Sequence, residues 1–257
     1  MTITRRLEIT SRYTKLIAGA ICCLVGSVSF GQGLPGTENG EWRYLGGDAG
    51  HTRSSPLDQI NRSNFADLEQ AWIWRGDNFG SNLDFFSRST PIYVDGILYT
   101  VATPRRQVVA IDPKTGENLW TFREPETIRH QRSPRQAYGK GVAYAEVNGR
   151  GVIYVTSPGF FLWALDAKTG RPLENWGSEF PVGQFPETGV IDLIPKLVED
   201  WGPWQDYVVA GGQYDPDYGI PRELGMVTAS APPIVVNGVV VVLVGHQPSY
   251  GQTRIEN

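Results

Sequence analysis

Few residue types carry chemistry, and in this chain the densest group of them lies between Arg129 and Arg135. His130 has the side chain of a general base, and Arg129, Arg132 and Arg135 surround it. Two readings of the arginines stand. Either they grip carboxylates, each fork taking two oxygens at once, or they form a solvated basic loop. His130 itself reads as a surface or core histidine. Thiol chemistry is excluded: Cys22 and Cys23 are the only cysteines, and both sit in an apolar run near the amino terminus. A second group, Trp201, Trp204, Tyr207, Tyr214 and Tyr218, lies in a proline-broken stretch from Phe180 to Tyr218. Long ordered loops usually cover a site or make an interface. These aromatics either line a substrate entrance or pack the loop down, and packing is the favoured reading.

The elements that must position such groups repeat along the chain. Ile92 to Tyr99 is two apolar runs about Asp95-Gly96, a strong hairpin signal because a tight primed turn needs positive φ. Val108 to Ile111 makes a third strand, Asp112 to Gly116 a polar turn and Trp120 the end of the unit. Fifty-four residues on from Ala110, Ala164-Leu-Asp-Ala-Lys-Thr-Gly170 restates Ala110-Ile-Asp-Pro-Lys-Thr-Gly116, after a strand pair at Gly151 to Thr156. Ser230 to Val244 restates the opening hairpin, with Asn237-Gly238 as its turn. Three units at this spacing predict an all-β protein of radially repeated four-stranded sheets. Phe180 to Tyr218 reads as an excursion between the second and third units. Trp120 is expected to wedge between neighbouring sheets. Trp176 follows Gly170 by six residues where Trp120 follows Gly116 by four, so Arg171 to Asn175 must bulge or the ring docks differently.

Residues 1–31 read as a signal peptide, with a retained amino-terminal anchor as the alternative. Arg5, Arg6, Arg12 and Lys15 precede an apolar run of about 13 residues, Leu16 to Val28. That run is short for a membrane span of about 20 residues and suits a signal core. Composition fits a soluble globular chain, with 40% hydrophobic and 19% charged residues. The net charge of −4 and the lack of basic patches interleaved with aromatics set nucleic-acid binding aside. About 225 residues follow the leader, room for four blades at most, and the third unit stops before its DxxTGxxxW tail. Residues 32–257 are therefore expected to be the amino-terminal part of a longer, closed propeller.

Recognition enters between Glu41 and Trp74. Trp42-Arg-Tyr-Leu-Gly-Gly-Asp48, Gly50-His-Thr-Arg53, Ser55-Pro-Leu-Asp-Gln-Ile-Asn61, Asn64 and Leu68 to Trp72, together with the two AxDxxTG repeats, resemble the pyrroloquinoline quinone (PQQ)-dependent dehydrogenases. In this lead-in, Asp58 to Leu68 is expected to be a helical or looped passage before a first strand at Gln70 to Trp74. The resemblance implies an eight-bladed tryptophan-docked β-propeller in the periplasm, with PQQ and calcium as cofactors. It implies oxidation of an alcohol, polyol or aldose sugar, with electrons passed to a membrane quinone or cytochrome c.

The resemblance also implies a partial site. Ser230 stands where the family has a hydroxyl bonding a cofactor carboxylate, Lys140 where it usually has an arginine, and Arg88 where methanol-oxidising relatives have a cofactor-contacting glutamate. Gly245 matches a glycine in the tight segment leading to Glu256, which falls near the calcium-ligating glutamate. The family's active-site histidine would fall near Gln136, not at His130. Ser133 to Ala137 lacks the adjacent-cysteine pair of many alcohol-oxidising members, which points toward the glucose-dehydrogenase branch. The catalytic aspartate would lie beyond Asn257, so the isolated chain is expected to be inactive. The alternative of a different class is a non-catalytic repeat propeller that scaffolds an envelope complex.

Overall fold

The computed structural model describes residues 35–79, 87–103, 105–133, 136, 139–178 and 188–247. The first repeat folds as a four-stranded antiparallel meander: β1 (Ile92–Val94), β2 (Ile97–Ala102), β3 (Gln107–Ile111) and β4 (Asn118–Phe122), paired in that order. Asp95 and Gly96 take φ of 49° and 77°, the turn that the hairpin needs. The second repeat gives β5 (Ala143–Val147), β6 (Arg150–Thr156), β7 (Phe161–Asp166) and β8 (Val190–Asp192) in the same order. Its hairpin turns at Asn148-Gly149, with φ of 53° and 75°. In the third, β10 (Ile234–Val236) pairs with β11 (Val239–Val241) about Asn237-Gly238, while β9 (Met226–Thr228) pairs with β12 (Gly245–Gln247).

The period of two along each strand decides what each side chain packs against. In β3, Val108 and Ala110 face a core shared with Ile153, Val155, Phe161, Trp163 and Leu165 of the second sheet. Val109 and Ile111, on the other face, meet Trp72 and Trp74 of the lead-in. In the second sheet, Val152, Tyr154, Leu162 and Ala164 face away from the first and pack with Val235, Val240 and Val242 of the third repeat. The strands are thus apolar on both faces, because each sheet is stacked between neighbours as a propeller blade is.

The two polar turns fold alike. Asp112 accepts the N–H of Lys114, and Asp166 accepts the N–H of both Lys168 and Thr169. The N–H of Gly116 and of Gly170 closes each turn on the aspartate carbonyl at 2.8 Å. On each turn lies an indole from the preceding unit. The Trp72 ring covers Gly116 and donates to Pro113 O at 2.9 Å, and the Trp120 ring covers Gly170 and donates to Ala167 O at 2.9 Å. The expected wedge at Trp120 is this contact.

Two expectations need correction. Gln70 to Trp74 forms no strand among the described residues; no backbone ladder reaches it, and the Trp72 and Trp74 indoles hold it to the first blade instead. The stretch from Phe180 to Tyr218 is not wholly an excursion, because Val190–Asp192 supplies the fourth strand of the second blade. After Gly170 the chain touches β7 only at a Leu165–Pro172 bridge. It then turns away through Asn175 and Gly177, at φ of 60° and 73°. At that bridge the N–H of Asp166 donates to Arg171 O and that of Leu173 to Ala164 O, both at 2.8 Å. The edge is left to Val190, and Trp176 meets Tyr154 edge-on at 5.7 Å. Beyond β8, helices α2 (Ile194–Val198) and α3 (Gly202–Val209) bury Trp204 against Phe160 and Ala229, with Trp201, Tyr207 and Tyr214 around them. This part of the insert packs onto the blades, the favoured reading of its aromatics.

A Cβ on Gly170 would lie 2.4 Å from the Trp120 ring, whereas one on Gly96 would meet nothing within 4 Å, although both glycines have positive φ. Gly96→Ala is expected to cost only the backbone strain of about 1–2 kcal/mol. Gly170→Ala is expected to cost at least about twice that, since it also lifts the indole. Urea midpoints of the two variants check the difference.

Candidate functional site

In an antiparallel blade, the start of the first strand, the second turn and the end of the fourth strand share one end. Residues 87–91, 103, 105, 106 and 123–126 therefore lie at one end of the first blade. Residues 139–142, 157–160 and 193 lie at the matching end of the second. Two hydrogen bonds join the strand starts of three repeats into one line: Thr90 N–H to Lys140 O at 3.0 Å, and Lys140 N–H to Ser230 O at 3.1 Å. The side group of residue 141 must be hydrogen, because a Cβ would sit 3.1 Å from Thr90 O on a backbone with φ of 143°. Thr156 donates to Ala231 O at 3.3 Å, and the buried Arg106 guanidinium donates to Ala229 O, bracketing Ser230 from two sides.

The positions of the sequence-derived candidates follow from this line. Lys140 and Arg88 are exposed beside it, and among the described residues neither cation enters an ion pair. Ser230 is half-buried, its carbonyl taken by Lys140. Gly245 is exposed in β12, opposite Thr228. Glu256 and Arg135 lie outside the described residues. Thr156 and Arg106 were not singled out in the sequence. Thr156 ends a strand beside a turn, a weak signal, and nothing in the sequence marks Arg106.

The loop that follows β4 resolves the two readings of the arginines. Its short helix α1 (Ile128–Gln131) is capped by Thr127, whose hydroxyl accepts from His130 N–H at 2.9 Å. Arg129 is buried, pairs with Asp192 through both terminal nitrogens at 2.7 and 3.0 Å, and stacks 3.9 Å from the Phe161 ring. It also donates to Tyr214, to Phe160 O and to Gly159 O. This side chain is fully engaged in joining the linker, the second blade and the insert. Arg132 lies over the Tyr218 ring at 5.0 Å. His130 is a core histidine, 3% exposed. Gln136 caps the helix end, donating to His130 O and Gln131 O.

The donors at the strand starts suit an anionic, multiply carboxylated ligand: two cations and one hydroxyl, presented by three repeats whose backbones are bonded together. A model of the family described as "PQQ: Glucose/ethanol/alcohol dehydrogenase, beta-propeller domain" matches residues 42–254. The chain is 33% identical over 159 residues to a 1-butanol dehydrogenase (cytochrome c) of Thauera butanivorans, covering 61% of this chain and 20% of that one. It is 32% identical over 184 residues to the quinohemoprotein alcohol dehydrogenase ADH IIB of Pseudomonas putida, covering 70% and 25%. The solved structure of the quinohemoprotein alcohol dehydrogenase from Comamonas testosteroni superposes with a TM-score of 0.51 at 26% identity, over 80% of this chain and 23% of that one. The chain thus spans about a fifth to a quarter of the length of these relatives.

Removing one partner of a buried, hydrogen-bonded ion pair costs about 3–5 kcal/mol. Arg129→Ala is expected to lose that much stability, and Arg129→Lys to recover little of it, because an ammonium cannot fork across Asp192. Denaturant titration of both variants measures it.

Proposed function

We propose, from the premise that this chain belongs to the PQQ-dependent dehydrogenase β-propeller family, that it forms the leading blades of an oxidoreductase acting on an alcohol, polyol or aldose sugar. The electrons pass to a quinone or cytochrome c, and residues 1–31 direct the protein to the periplasm. One observation carries the reading: Arg88, Lys140 and Ser230 present side-chain donors, uncommitted among the described residues, from strand starts of three repeats tied by the Thr90–Lys140–Ser230 bonds.

When bound, PQQ supplies an ortho-quinone that accepts hydride, and a hard divalent cation, taken as calcium, polarises it through oxygen ligands. This chain's contribution is to bind and orient. Lys140 and Arg88 neutralise carboxylates of the cofactor, and the Ser230 hydroxyl donates to another. Arg106 and Thr156 hold the backbone on either side of Ser230, which fixes where that hydroxyl stands. Glu256 is proposed as a ligand of the cation. Lysine at position 140 keeps the charge but not the bidentate geometry of an arginine.

The full-length protein is expected to bind PQQ saturably in the presence of calcium, read by quenching of tryptophan fluorescence. Lys140→Ala removes one charge-assisted hydrogen bond, worth about 1.5–3 kcal/mol, so Kd rises roughly tenfold or more. Lys140→Arg is expected to stay within a few-fold of wild type. A folded protein that shows no saturable binding overturns this reading and favours a non-catalytic scaffold.

A further inference from the structure

Behind the line of strand starts lies a buried acid–base pair that the cofactor reading does not use. Glu124 directly follows the last residues of the β4 extension, and His130 lies in α1; they are 4% and 3% exposed. Glu124 Oε1 accepts the N–H of Gly159 at 2.7 Å and lies 4.0 Å from His130 Nε2. Among the described residues, Glu124 Oε2 and both ring nitrogens of His130 have no hydrogen-bond partner. Three unpartnered polar atoms in one closed place are costly, and their arrangement restricts where protons sit.

An ion pair fits the place poorly. An imidazolium has two N–H donors to satisfy, and buried charges at 4.0 Å gain little against their desolvation. The neighbouring charges also oppose it. Arg105 and Arg106 from the β2–β3 turn and Arg123 from the linker all disfavour a cation on His130, while Glu126 favours one, as an ionised Glu124 would. A protonated carboxyl beside a neutral imidazole fits better, because neither group then carries a charge that this closed place cannot solvate.

We propose that Glu124 and His130 are positioning residues that together hold one proton, as a buried neutral acid–base pair, keeping the turn Ser157–Phe161 of the second blade against the linker that leads to Lys140. Glu124 takes the N–H of Gly159 while Arg129 takes its carbonyl, so the linker grips both backbone groups of one residue. The charge states agree with this. Burial pushes Glu124 up to about 7, against hydrogen bonds from Ser157 and Gly159 and the charges of Arg129 and Arg106. Burial, helped by Arg105, pushes His130 down to about 4.

The thermodynamic signature is distinctive. Glu124 alone binds its proton more tightly when folded, so its contribution falls as pH rises from about 4.5 to about 7. His130 alone binds its proton less tightly when folded, so its contribution grows from about pH 4 to about 6.5. Over the shared window the two slopes cancel. The pair carries one proton in both states: on histidine when unfolded, on glutamate when folded.

Each single variant should therefore expose the slope that its partner concealed. Relative to wild type, the folding equilibrium constant of Glu124→Gln is expected to gain about tenfold per pH unit between about pH 4.5 and 7. That of His130→Asn is expected to lose about tenfold per pH unit between about pH 4 and 6.5. Urea denaturation of the full-length protein across pH measures both. Variants that run parallel to wild type, displaced by a constant amount, overturn the proposal, because a merely structural role or a buried ion pair behaves that way. If a variant fails to fold, NMR of the His130 ring nitrogens in the wild type decides: a neutral ring at pH 6 supports the neutral pair, and an imidazolium overturns it.

Discussion

The Trp120 indole sets how the first two sheets stack, and Trp72 repeats its contact from the lead-in. Trp72 lies on Gly116 and Trp120 on Gly170, each donating to the carbonyl of the residue that follows the turn's aspartate. The contact needs three things at once: a turn closed by aspartate and threonine, a glycine whose missing Cβ lets the ring approach, and an exposed carbonyl at its edge. Burying a ring of this size contributes on the order of a few kcal/mol. Its larger consequence is geometric. The hydrogen bond fixes the rotation of one blade on the next, and so the relative heights of the strand starts at Thr90 and Lys140. Without that register, the bonds that line up Thr90, Lys140 and Ser230 could not form.

The stacking was legible in the sequence wherever the signal is local. Asp95-Gly96, Asn237-Gly238 and the two DxxTG turns each need particular residue types for their own backbone, and each folded as its types require. Failures came where a partner outside the local window decides. Val190 to Asp192 reads as three unremarkable residues in an insert, yet it takes the edge of β7 next to the Leu165–Pro172 bridge. Gln70 to Trp74 has a strand's composition and no backbone neighbour among the described residues. The candidate site divides in the same way. Lys140 and Ser230 were marked by resemblance, and the structure brings their backbones together. Arg106, Glu124 and Thr156 owe their places to contacts between repeats, which no single stretch of sequence displays.

Polar chemistry concentrates at the blade ends for a reason of area. Within the strands both faces are covered by neighbouring sheets, and a polar side chain there would lose water on either side. Where the chain crosses from β4 to β5 it must pass between the blades, and there it carries Glu124, Arg129 and His130 inside. Arg129 is tolerated because its donors find Asp192, Tyr214 and two carbonyls. Among the described residues, Glu124 accepts from Gly159 but bonds no cation, and the His130 ring nitrogens find no hydrogen-bond partner, so neutrality is the cheaper state for both. One crossing segment thus holds a charged clamp and an uncharged one, a few residues apart.

The third repeat shows what the first two gain from each other. Its hairpin packs Val235 and Val240 on the second blade, while Ile234 and Val239 remain 48% and 58% exposed on the opposite face. Ser230 stands at its start. A ligand that bonds Ser230 together with Lys140 and Arg88 binds only when all three repeats are stacked, and it therefore stabilises that stacking by mass action. Under the proposed site, binding and blade packing then become one equilibrium.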